Sequence, residues 1–371
     1  MEKILIITNM YPSKKYPHYG VFVENTVHIL ENGGYKVIVC AMPKCDTVIT
    51  KLWNYMKLYI KSILCGLFGG VDCVYTHFIS HTALPVLVLK RLKKNLIIVE
   101  NAHGNDVVAD SELDEKNIAR SRKALKVADW VIVPSAYYRD VMKEVYGVAE
   151  NRIFISPSGG VNPKLFSPMP QAEAMTKIGL EPGGFWIGYI ARMEKGKGWR
   201  TFLQACAKLI RENIIPDLNI LIVGNGAEQN TLQGLARDLR LNSYMTYRDL
   251  VPQKDLKYYY NALNIFSFPS ERESLGLVGL EAMACGVLCV CSDAEGIKSY
   301  AMHGKNCLVF ERGKEDQLAD EIVTLYQMSD TAKERMRMCA IETAKQYETQ
   351  KTEQALLNFF REKVAFSQSE R

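Results

Sequence analysis

Two glutamates separated by seven residues, Glu273 and Glu281, carry the clearest chemistry in the sequence. An apolar run precedes Glu273 and ends in Pro269-Ser270, a turn signal, and helix formers follow it. Glu273 is therefore predicted on a loop and Glu281 in the next helix. The backbone N–H groups of 274–277 are predicted to form a helix N-terminus open to an anion. A nucleotide-sugar requires carboxylates that accept hydrogen bonds from its hydroxyls and, beside them, backbone amides that donate to its phosphates.

Two basic residues, Arg192 and Lys197, follow another predicted strand. Arg192 offers a planar fork and Lys197 a point charge, which together suit the oxygens of a diphosphate. The sequence contains no Asp-x-Asp triplet and so offers no obvious clamp for a divalent metal. We therefore expect these cations and the helix N-terminus to neutralise a departing phosphate. A second loop, Gly224-Asn225-Gly226, is predicted on the nucleotide side.

A further group of candidates lies in the first third of the chain. The loop from His103 to Asp106 follows a predicted strand; a neutral imidazole there can bond a sugar hydroxyl, and Asp106 can orient it. Gly20 lies in another loop at a strand's carboxyl end, where backbone can approach a ligand closely. His77 and His81 are assigned structural roles.

Predicted strands and helices alternate through both halves of the chain, which indicates parallel sheets with helices on both faces. A stretch dense in proline and glycine, 157–184, separates the halves and is the predicted domain boundary. We therefore expect two doubly wound, Rossmann-like α/β domains whose strand-end loops face a central cleft. The predicted strands are 3–8, 36–41, 72–77, 96–101, 129–134, 153–156, 185–190, 219–223, 244–247, 264–268 and 287–291.

The composition is that of a soluble globular protein, with 48% hydrophobic and 23% charged residues. A length of 371 residues favours two domains. No apolar run reaches 18 residues, which argues against a spanning helix, and the N-terminus lacks a signal-peptide pattern. The ten cysteines lie mostly inside apolar runs without Cys-x-x-Cys spacing, which fits buried thiols in a reducing cytosol.

Positive charge is concentrated in the first hundred residues, which hold 12 Lys+Arg and 6 Asp+Glu. Within them, 51–68 is amphipathic, aromatic and lysine-bearing, and 90–94 is a basic cluster. Together these segments are predicted to meet an anionic bilayer surface. The alternative is an ordinary surface helix with its apolar side in the core. Nucleic acid is a rival anionic partner, but no nucleic-acid motif appears.

These motifs resemble glycosyltransferase family 4, the retaining enzymes with the GT-B fold (glycosyl transferases group 1). Three runs carry the resemblance: the E-x7-E block Glu273–Glu281, the R-x4-K-G run Arg192–Gly198, and the loop His103–Asp106. Gly159-Gly160-Val161-Asn162, followed by Phe166, is similar to the family's interdomain run. The resemblance covers most of the chain, and all three runs occur in the family's order.

The resemblance implies an acceptor-side domain at 1–165, onto which a C-terminal helix near 352–371 packs back. It implies a sugar-nucleotide-binding domain at 166–351. Matching motifs assign catalytic roles to His103, Arg192, Lys197 and Glu273. Asp106 is assigned to the acceptor. The implied donor-binding residues are Gly20, Gly224, Asn225, Leu250, Val251, Ser274, Leu275, Gly276, Leu277 and Glu281.

The activity implied is retaining transfer of a sugar from a UDP- or GDP-sugar to a saccharide acceptor, with no metal or other cofactor. Arg248-Asp249-Leu250 stands where the family usually has a glycine, which leaves the base open. We expect a lipid-linked acceptor, such as a polyprenyl-diphosphate saccharide, in capsule, exopolysaccharide or O-antigen assembly; a soluble acceptor is the alternative. The expected location is cytoplasmic, peripheral on the inner face of the plasma membrane. A sugar-nucleotide epimerase, or a non-catalytic partner of another transferase, stays open as an alternative.

Overall fold

The computed structural model describes residues 2–17, 19–109 and 112–364, without the side chains of 112–114. The chain divides into two compact units between Gly159 and Gly160. Unit 1 comprises the described residues up to Gly159 together with those from Gln350 onward. Unit 2 is Gly160–Thr349.

Strands and helices alternate along the chain, as the hydrophobic pattern predicts. Short 3-10 turns at Glu150–Arg152, Gln253–Asp255 and Ile297–Ser299 join some of them, and a π turn, Phe360–Val364, follows the last helix. The elements are β1 (Lys3–Thr8), α1 (Val21–Asn32), β2 (Lys36–Ala41), α2 (Val48–Phe68), β3 (Cys73–His77), α3 (Ile79–Leu92), β4 (Ile97–Asn101), α4 (Glu112–Leu125), β5 (Trp130–Val133), α5 (Ala136–Glu144), β6 (Ile153–Ile155), α6 (Gln171–Lys177), β7 (Phe185–Ile190), α7 (Trp199–Glu212), β8 (Leu218–Val223), α8 (Gln229–Asp238), β9 (Met245–Arg248), α9 (Leu256–Asn261), β10 (Ile265–Phe268), α10 (Leu277–Ala284), β11 (Leu288–Ser292), β12 (Leu308–Phe310), α11 (Glu315–Gln327), α12 (Asp330–Gln346) and α13 (Thr349–Phe359).

Unit 1 is built on a six-stranded parallel sheet in the order β2-β1-β3-β4-β5-β6. Both faces of the sheet are covered, which is why its strands are almost continuously apolar. Ile4 and Ile6 of β1 face a core shared with α1 and α13, whereas Leu5 and Ile7 face a core shared with α2 and α3. The strand order reverses where β1 pairs with β2 on one side and β3 on the other.

The last described helix, α13, packs within unit 1 through aromatic side chains. The ring of Phe359 stacks on Phe154 with centroids 4.7 Å apart and meets Trp130 edge-on at 5.7 Å. Phe360, in the π turn, contacts Tyr75 at 5.3 Å. The part of the predicted C-terminal helix beyond 364 lies outside the described residues.

Unit 2 contains a second six-stranded parallel sheet, in the order β12-β11-β10-β7-β8-β9. Numbered from its own first strand, this is the 3-2-1-4-5-6 order of doubly wound dinucleotide-binding sheets. The order reverses where β7 pairs with β10, for example Ile187 with Ile265. In sheets of this kind the loops at the carboxyl ends of the two reversing strands line the ligand crevice.

Three details of unit 2 differ from the sequence-based expectation. The short strand β12 was not predicted, and the unpredicted helix α6 lies inside the stretch dense in proline and glycine that was predicted as the domain boundary. The boundary between the units precedes the predicted one at 165/166. Val161 donates its backbone N–H to the carbonyl of Tyr347 (2.8 Å), and Phe166 is buried in the core of unit 2, so both residues belong to that unit.

Candidate functional site

The strand reversal of unit 2 brings two of the sequence motifs together. Lys197 lies in the loop after β7, and Glu273 lies in the loop after β10. The Nζ atom of Lys197 is 2.6 Å from Oε1 of Glu273, and their side chains are 21% and 13% exposed. An ion pair with this partial burial is screened less by water and salt than a surface pair. The cation of one motif and the carboxylate of the other thus form one charged site.

Backbone contacts hold these two loops against each other. Glu271 donates its N–H to the carbonyl of Gly196 (2.9 Å). At Gly198, where φ is +71°, a Cβ atom would lie 1.9 Å from the carbonyl oxygen of Pro269. Only glycine fits this close approach, which explains the glycine that follows Lys197 in the motif.

Arg192 lies near the start of the same loop but takes no part in the Lys197 pair. Its side chain is 67% exposed and its Nη1 is 3.2 Å from Oε1 of Glu194. An exposed pair of this kind contributes little to stability, so Glu194 can be exchanged for another anion at small cost. The arrangement leaves the guanidinium accessible to a phosphate.

The amino end of α10 follows Glu273 directly, as predicted. Gly276 precedes the helix with φ +88°, and no side-chain cap is recorded at this end. Tyr300 Oη donates to the carbonyl of Gly276 (2.9 Å), and Gly296 donates its N–H to the carbonyl of Glu273 (3.2 Å). These bonds fix the turn from the carbonyl side. The amino end of a helix has N–H groups that the helix itself does not use, and such an end favours an anion. The four predicted donor contacts here are Ser274, Leu275, Gly276 and Leu277; of these, Leu275 is buried.

Glu281 occupies a different environment from Glu273, in the interior of α10. It is buried, and its carboxylate accepts hydrogen bonds from Tyr260 Oη (3.0 Å) and Gln253 Nε2 (3.4 Å). Burial raises the pKa of Glu281 to about 7, while the two hydrogen bonds act in the opposite direction. The weaker contact, to Gln253, is the one that an incoming hydroxyl can replace.

The remaining predicted donor residues of unit 2 lie in loops that follow β8 and β9. Asn225 donates from Nδ2 to Oδ1 of Asp249 (2.7 Å), and Gly224 donates its N–H to the carbonyl of Arg248 (3.0 Å). Leu250 is exposed, whereas Val251 packs partly against the core. Met193 donates its N–H to the carbonyl of Asn225 (2.8 Å). That bond ties these loops to the loop that carries Arg192 and Lys197.

In unit 1 the structure pairs His103 with His77, for which the sequence predicts only a structural role. His77 ends β3 and His103 follows β4, and because these strands are neighbours the rings stack with Nδ1 of His77 3.0 Å from Nε2 of His103. Burial lowers the pKa of His103 to about 3 and that of His77 well below its usual range. Both rings are therefore neutral at pH 7.

The burial of His77 indicates which nitrogen carries the shared proton. His77 is 1% exposed, and its Nε2 has no hydrogen-bond partner among the described residues. A buried N–H without an acceptor costs more free energy than a buried nitrogen lone pair without a donor. The proton of His77 therefore belongs on Nδ1, where His103 accepts it, and not on Nε2. His103 Nε2 then accepts, and the proton of the His103 ring is on its Nδ1. The pair could have been predicted only from the strand order, which places the end of β3 beside the end of β4.

The acceptor contact predicted for Asp106 is not supported by its surroundings. The side chain is buried, with Oδ1 accepting from the N–H groups of His103 (3.0 Å) and Gly104 (2.9 Å) and Oδ2 from Ile79 (3.0 Å). A carboxylate engaged by three backbone donors holds the loop in place. Asp106 thus positions the backbone of His103 and joins its loop to the start of α3.

Gly20 lies immediately before α1 with φ +81°. A Cβ atom there would lie 2.6 Å from the carbonyl carbon of Met10, so the glycine lets the loop after β1 fold against the helix start. His81 has the structural role expected of it: its Nδ1 is 2.9 Å from Tyr55 Oη, and Tyr59 Oη donates to its carbonyl.

Two searches of the described part of the chain bear on cofactors and membranes. Within residues 2–17, 19–109 and 112–364, no three His, Cys, Asp or Glu side chains form a group that could hold a metal ion. Among the helices described there, none is both long and apolar enough to cross a bilayer.

Comparison with known proteins identifies both units. The family model described as "Glycosyltransferase Family 4" matches residues 20–160, and the model "Glycosyl transferases group 1" matches residues 170–346. The D-inositol 3-phosphate glycosyltransferase of Paenarthrobacter aurescens is 28% identical over 228 residues, which are 61% of this chain and 55% of that protein. The matched part thus spans about half the length of this relative.

Solved structures with the same fold cover both units. The sucrose-phosphate synthase of Thermosynechococcus elongatus superposes with a TM-score of 0.82 at 19% identity, covering 99% of this chain and 100% of that one. HepE of Anabaena, solved in complex with UDP-glucose, superposes with a TM-score of 0.72 at 16% identity and full coverage of both chains. Both have the GT-B fold. With the two family models spanning most of its length, the chain belongs to glycosyltransferase family 4 and has the GT-B fold.

Proposed function

We propose that this protein transfers a sugar from a nucleotide-sugar to a hydroxyl of a saccharide acceptor, with retention of the anomeric configuration. The observation that carries the proposal is the Lys197–Glu273 pair at the strand reversal of unit 2. Arg192 lies on the same loop as Lys197, and the amino end of α10 follows Glu273. Positive groups and a carboxylate therefore occur together where a sheet of this order binds its ligand.

The proposal assigns Arg192 and Lys197 to the diphosphate of the donor. Negative charge develops on the diphosphate as it leaves, and charges and dipoles already in place stabilise it most effectively. The N–H groups at the amino end of α10 add to this stabilisation. No metal ion is included, since the two cations and the helix end supply the positive charge.

Glu273 is assigned to the donor sugar and Glu281 to the ribose hydroxyls. Breaking the bond between the anomeric carbon and the phosphate oxygen leaves an oxocarbenium-like sugar. The acceptor hydroxyl forms its new bond on the face from which the diphosphate departs, and its proton passes to a phosphate oxygen. His103, a neutral imidazole, is assigned to a hydroxyl of the reacting sugar.

The donor is proposed to be a UDP- or GDP-sugar. The complex of HepE with UDP-glucose supports the UDP alternative by fold similarity alone. Incubation with a panel of UDP- and GDP-sugars, with release of the nucleotide as the readout, identifies the donor through its slow hydrolysis. NMR of the transferred product then gives the anomeric configuration: an inverted linkage from an α-linked donor would contradict the retaining mechanism.

The same incubation without acceptor separates the proposal from its two alternatives. An epimerase would still turn over when no acceptor is present, interconverting the sugar-nucleotide and its epimer to equilibrium, whereas a transferase releases nucleotide only slowly. A non-catalytic partner would bind the nucleotide-sugar without any turnover. The charged set Arg192, Lys197, Glu273 and Glu281 favours the transferase, since binding alone does not require charges placed for a leaving group.

For the acceptor we propose a lipid-linked saccharide in surface polysaccharide assembly, with the enzyme peripheral on the cytoplasmic face of the membrane. The exposed lysines and apolar side chains of α2 support this choice. The relative from Paenarthrobacter aurescens, named as a D-inositol 3-phosphate glycosyltransferase, favours a second candidate, a small phosphorylated polyol. Parallel assays with a polyprenyl-diphosphate saccharide and with inositol phosphate decide between them, because the true acceptor accelerates nucleotide release.

A further inference from the structure

Helix α2 presents a row of large apolar side chains to solvent. Most of them follow one another at steps of three or four residues, with adjacent pairs at 48/49 and 52/53, and together they cover one broad side of the helix. Each of the side chains is at least 42% exposed, and the two at the ends, Val48 and Phe68, are 83% and 80% exposed. The outer face, as we call it, consists of Val48, Ile49, Leu52, Trp53, Met56, Ile60, Leu64 and Phe68.

This outer face is not the side by which α2 joins the core. The opposite side buries Leu58, Ser62 and Gly66. At Gly66 a Cβ atom would lie 2.5 Å from Leu89 of α3, so the two helices are in close contact there. The helix is thus anchored to unit 1 and still exposes a second apolar surface, which exceeds the scattered apolar side chains of an ordinary surface.

The charge carried by α2 itself has a single sign. Helix α2 contains no Asp or Glu, and its lysines, Lys51, Lys57 and Lys61, are exposed. The Nζ atom of Lys57 lies 5.2 Å from the ring centre of Trp53. Lys90 and Lys93, predicted to act with α2, are instead used inside unit 1: Lys90 pairs with Asp129 (2.8 Å), and Lys93 bonds the carbonyl of Val71 (2.9 Å). Of the two predicted basic segments, α2 keeps its three lysines exposed, with Nζ of Lys61 also donating to the carbonyl of Val39 (3.3 Å), and the cluster 90–94 keeps Arg91 and Lys94 exposed.

We infer that α2 is the surface by which this protein docks on an anionic bilayer. A helix that lies in the interface buries its apolar side chains below the headgroups and keeps its lysines among the phosphates. With 21 residues, α2 is about 32 Å long, and its eight exposed apolar side chains are spread along that length. Trp53 beside Lys57 is a pairing typical of the interfacial region, where one end of the side chain is apolar and the other polar.

The charge distribution argues against the other occupants. A second copy of this chain, docked by two-fold symmetry, would place the lysines of one α2 opposite those of the other without acids to compensate them. A nucleic acid would use the lysines but would leave the aliphatic side chains of the outer face in water. An anionic bilayer satisfies both the lysines and the apolar row. The inference does not depend on which sugar or acceptor the protein uses.

Sedimentation with vesicles tests this inference on the full chain. We expect binding to phosphatidylcholine vesicles that contain phosphatidylglycerol, little binding to phosphatidylcholine alone, and release at high salt. The double substitution Trp53→Glu/Ile60→Glu should abolish binding. Neutralising two lysines, Lys57→Gln/Lys61→Gln, should weaken it on the order of thirtyfold, since each lysine near the surface contributes about 1 kcal/mol.

Matched controls use exposed residues of the same kinds in unit 2. Met338→Glu and Lys305→Gln should leave vesicle binding unchanged, because these side chains are exposed but far along the chain from α2. Because all the substituted side chains are exposed, the variants are expected to fold, and unchanged circular dichroism checks this. Nucleotide release from the donor should continue in the Trp53→Glu/Ile60→Glu variant, which separates failure of docking from failure of the proposed reaction.

Three results would overturn the inference. The first is absence of vesicle binding by the unsubstituted protein, and the second is equal binding to neutral and anionic vesicles. The third is a dimer in analytical ultracentrifugation that Trp53→Glu/Ile60→Glu converts to a monomer. Binding that depends on both the apolar row and the lysines, in a monomeric protein, supports it.

Discussion

The two sheets of this protein have the same number of strands and the same parallel pairing, yet they reverse at different places and carry different chemistry there. In unit 2 the reversal between β7 and β10 brings Lys197 and Glu273 to 2.6 Å. In unit 1 the reversal lies between β1 and β3, and the stacked rings of His77 and His103 lie at the ends of β3 and β4. One sheet therefore ends in an ion pair and the other in neutral hydrogen-bonding groups.

Burial explains this difference. Lys197 and Glu273 keep part of their surface in water and face each other as a pair of opposite charges. In unit 1 His77 and Glu100 are almost completely buried, and burial lowers the pKa of the first and raises that of the second to about 8. We therefore expect unit 2 to stabilise an anion and unit 1 to offer uncharged hydrogen-bond donors and acceptors.

The largest expected effect follows from removing the cation of unit 2. Lys197→Ala should lower kcat on the order of 10²–10³, because one preorganised charge on a leaving group contributes about 2–4 kcal/mol. The measurement is initial rates with the donor identified by nucleotide release. Lys195→Ala removes an exposed lysine two residues away and should change kcat little. Equal losses in both variants would mean that only the general positive charge of the loop matters.

Removing the imidazole of His103, the uncharged group of unit 1, is expected to lower kcat without weakening the binding of the donor. His103→Ala should lower kcat about 10²-fold, the smaller end of what a positioned imidazole contributes. Because the pKa of His103 is about 3, its titration should not appear in the pH–rate profile of the unsubstituted protein between about pH 5 and pH 8. His28→Ala, an exposed histidine of the same unit, is the control. An inflection near pH 6.5 that disappears in His103→Ala would contradict a permanently neutral ring.

The buried acid of unit 1 gives a stability effect with a definite sign. Glu100 accepts a hydrogen bond from Thr76 and is protonated in the folded state at neutral pH, because burial raises its pKa to about 8 from a reference of 4.5. The folded state thus binds one proton more than the unfolded state between these values, so its contribution is present at low pH and is lost as the pH rises.

We therefore expect the free energy of unfolding of the unsubstituted protein to fall as the pH rises from roughly 6 to 8. Its fall should exceed that of Glu100→Gln by about 2 kcal/mol. Denaturant unfolding followed by circular dichroism measures it. Glu281, whose pKa is raised to about 7 in unit 2, titrates in both proteins and cancels in the difference. Identical pH dependence of the two proteins would show that Glu100 is ionised in the fold.

The smallest expected effect follows from replacing His77, which only positions His103. His77→Phe keeps an aromatic ring but removes the hydrogen bond to His103, and a lost hydrogen bond of about 1–1.5 kcal/mol corresponds to roughly tenfold in kcat. KM for the donor should not change. Nitrogen-15 NMR of the unsubstituted protein should show the proton of His103 on Nδ1. A proton on Nε2 of His103 would reverse the direction of the bond and contradict the assignment.

Much of this fold could be predicted because its strands are short apolar runs followed by polar loops. The loops of Arg192, Lys197 and Glu273 could be placed at strand ends in the same way, since parallel strands end at one edge of a sheet. Helix α6 was missed because its proline and glycine neighbours dominate the local pattern. Strand β12 was missed because its three residues are too few to show a period.

The contacts of the candidate site that the sequence did not predict have another origin, since they concern which side chains touch. The sequence suggested that Asp106 meets an acceptor, but a buried carboxylate attracts the nearest backbone N–H groups, and three of them engage it. The pairing of His77 with His103 depends on strand order, which a local pattern does not contain. The same holds for Lys90, whose ion pair with Asp129 joins residues 39 positions apart.

The division between the units is tested most directly by nucleotide binding. Calorimetric titration of UDP and GDP into the unsubstituted protein, Lys197→Ala and His103→Ala compares the two sheets under one condition. The account predicts that one nucleoside diphosphate binds, that Lys197→Ala weakens it at least about tenfold, and that His103→Ala leaves it within about twofold. Equal weakening by both substitutions, or unchanged binding in Lys197→Ala, would contradict the assignment of the diphosphate to the strand reversal of unit 2.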